Sequence, residues 1–122
     1  MKYLCMIFFD EKKLDSLSQQ EYEGLVNESL AYDDVLRNSG HLLANQALQS
    51  VHSARTIRSR GGKITLTDGP FAETKEQIGG FILIAARDLN EAIQLASGIP
   101  AIRFGGVEIR PIKELTDSGA GA

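Results

Sequence analysis

The densest run of reactive side chains in this sequence lies between Thr67 and Glu76, which reads Thr-Asp-Gly-Pro-Phe-Ala-Glu-Thr-Lys-Glu. An acid, a tight corner, an aromatic ring and three further charges fall within ten residues. The Gly-Pro corner directly after Asp68 fixes the chain direction there. Held so, the Asp68 carboxylate suits a general base or an anchor for a donor-rich ligand at the mouth of a cleft. The same sequence also suits an Asx-turn in which Asp68 only accepts from its own backbone. Phe71, Glu73 and Lys75 are the ligand-binding candidates on this loop. Lys75 would hold an anionic group, or it pairs with Glu73 or Glu76 in solvent.

A second candidate lies earlier. At 100° per residue, Tyr22, Leu25, Val26, Leu30 and Leu36 gather on one helical stripe, and Ser29 and Asp33 fall within it. A carboxylate on a buried face must be paired or hydrogen-bonded. Ser29 and Asp33 therefore line a pocket between helix and sheet, or the helix rolls and Asp33 sits at a wet edge. His41, at the start of a strand, is a candidate proton carrier or a satisfied structural residue. His52 is the other histidine, and neither has a zinc-ligand spacing. Cys5, in an apolar strand, reads as an inert core residue. No serine sits in a nucleophile elbow and no glycine pattern fits a phosphate loop, so neither a metal nor a cofactor is implied.

These groups need a scaffold. Lys2–Phe9 reads as a strand apolar on both faces. Asp10–Leu17 reads as a polar loop. Ser18 with Glu21 makes a capping box for a helix running to about Ser39, closed by Gly40. His41–Leu48 is a short strand. Ala54–Arg60 and Lys63–Thr67 form a hairpin about Gly61-Gly62. Its basic residues Arg55, Arg58 and Arg60 divide between the two faces, which suits edge protection better than a nucleic-acid patch. A strand at Gly80–Ala86 follows. Asp88 and Glu91 then cap a helix whose buried stripe is Leu89, Ala92, Ile93 and Ala96, ended by Gly98. Gly106–Ile112 is the last strand.

The order predicts an α+β fold, a ferredoxin-like βαββαβ protomer with an inserted β-hairpin. Two helices cover one sheet face. The strands are apolar on both, so a homodimer is expected, with two sheets packed face to face. Phe8, Ile82 and Ile84, or their neighbours on the opposite strand face, should be buried in it.

The chain has 122 residues and 13.3 kDa, which fits one domain over 1–115 with a disordered tail over 116–122. A net charge of −3 disfavours direct nucleic-acid binding. A single cysteine excludes an intrachain disulfide and suits the cytoplasm. The apolar start is too short to span a membrane.

The segment Thr67–Phe81, T-D-G-P-F-A-E-T-K-E-Q-I-G-G-F, resembles the DGPF-domain branch of the YCII-related family. So do M-K-Y-L-C-M-I-F-F-D-E at the start, S-G-H-L-L at 39–43, D-L-N-E-A-I at 88–93, Ile99-Pro100 and V-E-I-R-P at 107–111. The resemblance implies a dimeric α/β barrel of ferredoxin-like protomers. Most such proteins have no assigned reaction, some are linked to extracytoplasmic-function sigma factors, and one is associated with dehalogenation of a hydroxylated aromatic. Others in the wider family carry a His–Asp pair, whose positions fall here at Ser29 and Ile99. The resemblance thus shifts any site to Asp68–Glu76, with Ser29, Asp33 and His41 as neighbours. Two functions are expected from this. One is a small dimeric enzyme-like protein that binds a small polar or aromatic ligand near the D-G-P-F loop. The other is a non-catalytic ligand-binding or regulatory module associated with a sigma factor.

Overall fold

The structure, a computed structural model, describes residues 1–115; the tail expected over 116–122 lies outside them. Strand β1 spans Lys2–Phe9, followed by helix α1 (Glu11–Asp15) and helix α2 (Gln19–Asn38). Strand β2 (Leu42–Ala47) leads through a 3-10 turn to the hairpin β3 (Arg55–Arg60) and β4 (Lys63–Asp68). Strand β5 (Gln77–Ala85), helix α3 (Leu89–Ser97), a second 3-10 turn and strand β6 (Gly105–Pro111) complete the order.

Four strands form one antiparallel sheet in the order β2-β5-β1-β6, and β3-β4 make a separate two-stranded sheet. This is the ferredoxin-like α+β arrangement with a hairpin inserted between β2 and β5. The capping box of α2 forms in full, while at α3 the Asp88 side chain caps but Glu91 accepts from Arg87 N instead of Asp88 N. Ser18 Oγ accepts from Glu21 N while Glu21 accepts from Ser18 N, and Asp88 accepts from Glu91 N. Gly61 and Gly62 take φ of 56° and 82°, as a type I′ turn requires.

The core lies between the sheet and the helices. Tyr3, Cys5, Ile82 and Ile84 from the two central strands meet Leu36 of α2 and Ala92 and Ala96 of α3. In register, Tyr3 pairs with Ile84 and Cys5 with Ile82, so these side chains share one sheet face. Ile82 and Ile84 are therefore buried within the single chain. Their neighbours Phe81 and Leu83, opposite Met6 and Leu4, lie on the other face and remain partly exposed.

Three local expectations change. Residues 11–15 are helical, because the Asp10 side chain accepts from Lys12 N and caps a turn. In α3, Leu89 and Ile93 are exposed, since the helix turns its small Ala92 and Ala96 to the sheet and approaches closely. On α2, only Leu25 and Leu36 of the predicted stripe are buried; Tyr22, Val26 and Leu30 are not. Those three open onto a cavity.

Candidate functional site

Helix α2 does not lie flat on the sheet. Its Leu36 end is packed into the core, while its first turns stand off from β1, β2 and β5. The gap is a cavity of about 550 Å³, a size typical of sites for small molecules, roughly 300–1,000 Å³. Leu25, Val26 and Leu30 form its helix wall, and Ile82 and Ile99 part of the opposite one. Gly79 and Gly80 allow the sheet wall to take its shape. A Cβ on Gly79 would overlap the Phe9 ring, and one on Gly80 would press on the Gln46 carbonyl of β2 at 2.9 Å. Phe9 also faces the cavity.

The polar content of the walls is sparse and specific. Asn45 Nδ2 of β2 donates to Asp33 Oδ2 of α2 across 2.8 Å. Burial pushes the Asp33 carboxyl above its ordinary range; the bond from Asn45 and the charge of Arg37 pull it back in part, and Asp34 adds to the rise. Ser29, one turn earlier, donates to the Leu25 carbonyl at 2.9 Å, so its hydroxyl hydrogen is engaged within the helix. Tyr32 donates to the Leu95 carbonyl and ties α2 to α3. Gly98 makes room for that ring, since a Cβ there would overlap it. At the mouth, Glu11 accepts from Val51 N at 2.9 Å and from Ser50 Oγ at 3.1 Å.

The sequence candidates divide. Ser29 and Asp33 both line the cavity. So does Ile99, which means that both positions matched to the wider family's His–Asp pair line the same cavity. In this chain those positions carry a hydroxyl engaged with its own helix and an alkyl group, so the nearest carboxylate is Asp33.

Asp68, Phe71, Glu73, Lys75 and His41 are not lining residues. Asp68 ends β4 opposite Arg55, and its side chain, 86% exposed, pairs with Arg55 Nε at 3.1 Å. The expected position at the cleft mouth is corrected on this point: the β3–β4 register commits the carboxylate to the hairpin's own arginine. The rest of the loop is likewise held by its surroundings. Gly69 N donates to the Ala54 carbonyl, Thr56 Oγ1 donates to the Gly69 carbonyl, and Arg58 donates to the Phe71 carbonyl while lying 4.2 Å over its ring. Gln77 Nε2 donates to the carbonyls of Ala72 and Thr74. Glu73 and Lys75 are exposed. His41 Nδ1 lies 2.8 Å from the Ala85 carbonyl, a strand-to-strand tie at the sheet edge. Only the far end of the Thr67–Phe81 motif, at Gly79-Gly80-Phe81, reaches the cavity. Cys5 is buried, and burial pushes its thiol up to about 11, which suits an inert core residue.

Sequence reasoning passed over Asn45, Phe9 and the Gly79-Gly80 pair. The signal for Asn45 was an amide pair, Asn45-Gln46, set between Ala44 and Ala47 in a short strand with Leu42-Leu43 before it and Leu48 after it.

The model of the YCII-related domain matches residues 1–116. An uncharacterized protein, R00369, of Rhizobium meliloti (strain 1021) is 32% identical over 114 residues, covering 92% of each chain. Among solved structures, the chain is similar to 5-chloro-2-hydroxyhydroquinone dehydrochlorinase (TftG) from Burkholderia phenoliruptrix AC1100, in complex with 2,5-dihydroxybenzoquinone. That likeness has a TM-score of 0.55 at 14% identity, over 98% of this chain and 99% of the other. It concerns the fold.

Proposed function

The chain belongs to the YCII-related family, and on that premise we propose that it is a small enzyme-like protein that binds an aromatic ligand in the cavity between α2 and the sheet. One observation carries this reading. The Asp33–Asn45 pair is a polar anchor in an otherwise largely apolar hollow of the right size. Asp33 accepts a ligand hydroxyl and, with its raised pKa, serves as the base that withdraws that proton. Asn45 holds the carboxylate in place. Ser29 contributes an acceptor oxygen beside it. That the solved relative is an enzyme bound to a small quinone supports a small-molecule role for this fold.

In this reading two copies pack by the outer sheet face, where Leu4, Met6, Phe81 and Leu83 are left partly exposed. No helix among the described residues is long and apolar enough to cross a membrane, and the single free cysteine suits the reducing cytoplasm.

The D-G-P-F loop favours a second reading. Its backbone is held by the hairpin while Phe71 is 71% exposed. Asp68, Phe71, Glu73 and Lys75 then form a contact surface through which a regulatory module meets a protein such as a sigma factor.

Thermal shift with a hydroxylated aromatic such as hydroquinone separates the two readings. Bound ligand raises the melting temperature by mass action. Wild type and Asp68→Asn should both be stabilised, and Val26→Trp, which fills the cavity from its helix wall, should not. Loss of the shift in Asp68→Asn with retention in Val26→Trp would place binding at the loop.

A further inference from the structure

We propose that the cavity selects by charge, accepting an apolar body that carries a neutral or cationic hydrogen-bond donor and turning anions away. This deepens the reading above and rests on it. The walls hold the carboxylates of Asp33, Glu11 and Asp15, and among the described lining residues there is no lysine, arginine or histidine. Of the nearby cations, Lys12 and Lys13 on α1 are exposed to solvent and do not line the cavity, and two arginines are paired. Arg37, one turn along α2 from Asp33, pairs with Asp34 at 2.5 Å. Arg103 pairs with Glu28 at 2.9 Å. Lys75 lies outside the cavity.

An anion entering such a space loses its water and gains no opposite charge, while like charges face it across a wall of low polarity. A donor has the opposite prospect. Asn45 engages Asp33 Oδ2, and Asp33 Oδ1 has no partner among the described residues. A ligand N–H or O–H directed at that oxygen makes a charge-assisted bond. Glu11, fixed by Val51 N and Ser50 Oγ, keeps a second acceptor at the entrance. The remaining wall at Leu25, Ile82 and Ile99 suits an apolar body.

Calorimetric titration of the full chain at pH 7.5 tests this with three compounds of nearly one shape. These are 4-hydroxybenzylamine, 4-hydroxybenzyl alcohol and 4-hydroxybenzoate. The amine and the alcohol should bind, with the benzoate weaker than the alcohol by about tenfold or more, the effect of a single unfavourable charge contact. Asp33→Asn and Asp15→Asn should each reduce the advantage of the amine over the benzoate, Asp33→Asn the more. Benzoate binding as tightly as the alcohol would overturn the charge rule and leave the cavity reading intact. An unchanged amine preference in both variants would overturn the assignment to these carboxylates. No binding by any of the three would count against the cavity reading itself, and the charge rule with it.

Discussion

Asn45 of β2 and Asp33 of α2 are joined across the cavity wall by a 2.8 Å hydrogen bond, twelve residues apart in the chain. The bond links the free-standing part of α2 to the edge strand of the sheet and sets one carboxylate oxygen in a fixed place. It also offsets part of the cost of taking that carboxylate out of water.

That cost gives the first prediction. A raised carboxyl pKa means that the folded chain holds its proton more tightly than the unfolded one. As pH rises above the unfolded value of about 3.9, wild type loses stability relative to Asp33→Asn until folded Asp33 has ionised, and the difference then stays constant. At pH 7, Asp33→Asn should melt at the same temperature as wild type or above it, with hydroquinone binding weakened. Melting curves from pH 3 to 8 check this. A variant that melts lower at pH 7 than at pH 3, relative to wild type, would reverse the sign.

Gly79 has no room for a side chain, since a Cβ would overlap the Phe9 ring. Gly79→Ala should lose about 1–3 kcal/mol in urea denaturation, the usual range for overpacking, and should shift Phe9 into the cavity. A cost under about 0.5 kcal/mol would show that the ring moves freely.

Leu83 faces away from the helices, opposite Leu4 in β1. If that face joins two copies, Leu83→Glu should convert a dimer to a monomer by sedimentation at micromolar concentration. Ile82→Glu, one residue away, should instead unfold the chain, because Ile82 belongs to the core. Identical dimers in wild type and Leu83→Glu would exclude this face as the interface.

Ser18 caps α2 through Glu21 N at 3.0 Å. Ser18→Ala should cost about 1 kcal/mol, measured by denaturation, and Ser18→Asp should restore most of it.

The local part of the fold was legible because its signals are local. Ser18-x-x-Glu21, Asp88-x-x-Glu91 and Gly61-Gly62 each act within a few residues; the first and last form as the sequence implies, and of the second the Asp88 cap forms while Glu91 turns to Arg87 N. The alternation in Lys2–Phe9 groups Tyr3, Cys5, Ile7 and Phe9 on one face, but with both faces apolar only the fold shows that Tyr3 and Cys5 meet the core. Helix α1 was also written locally, in Asp10 as an N-cap, but its five residues hold too little periodicity to stand out. The site was half legible. Ser29 and Asp33 could be read from the helical stripe because a polar pair interrupts it. The exposure of Tyr22, Val26 and Leu30 could not, since a helix that stands off from its sheet has the same pattern as one that lies flat. Asp68 was misplaced for a similar reason. Its chemistry is visible in the sequence, but its partner Arg55 is set by the pairing register of β3 with β4, thirteen residues apart. Asn45 matters only because β2 brings it opposite Asp33, a tertiary relation that spacing does not express.

The most direct test of the cavity as the binding site is a ¹H–¹⁵N spectrum of the full chain titrated with hydroquinone. The account predicts saturable shifts at the Asn45 side-chain amide and at the backbone amides of Ser29, Gly79 and Gly80, with Gly69, Phe71 and Lys75 unmoved. Saturable shifts confined to residues 68–76, with Asn45 and Gly80 still, would contradict it and return the site to the D-G-P-F loop.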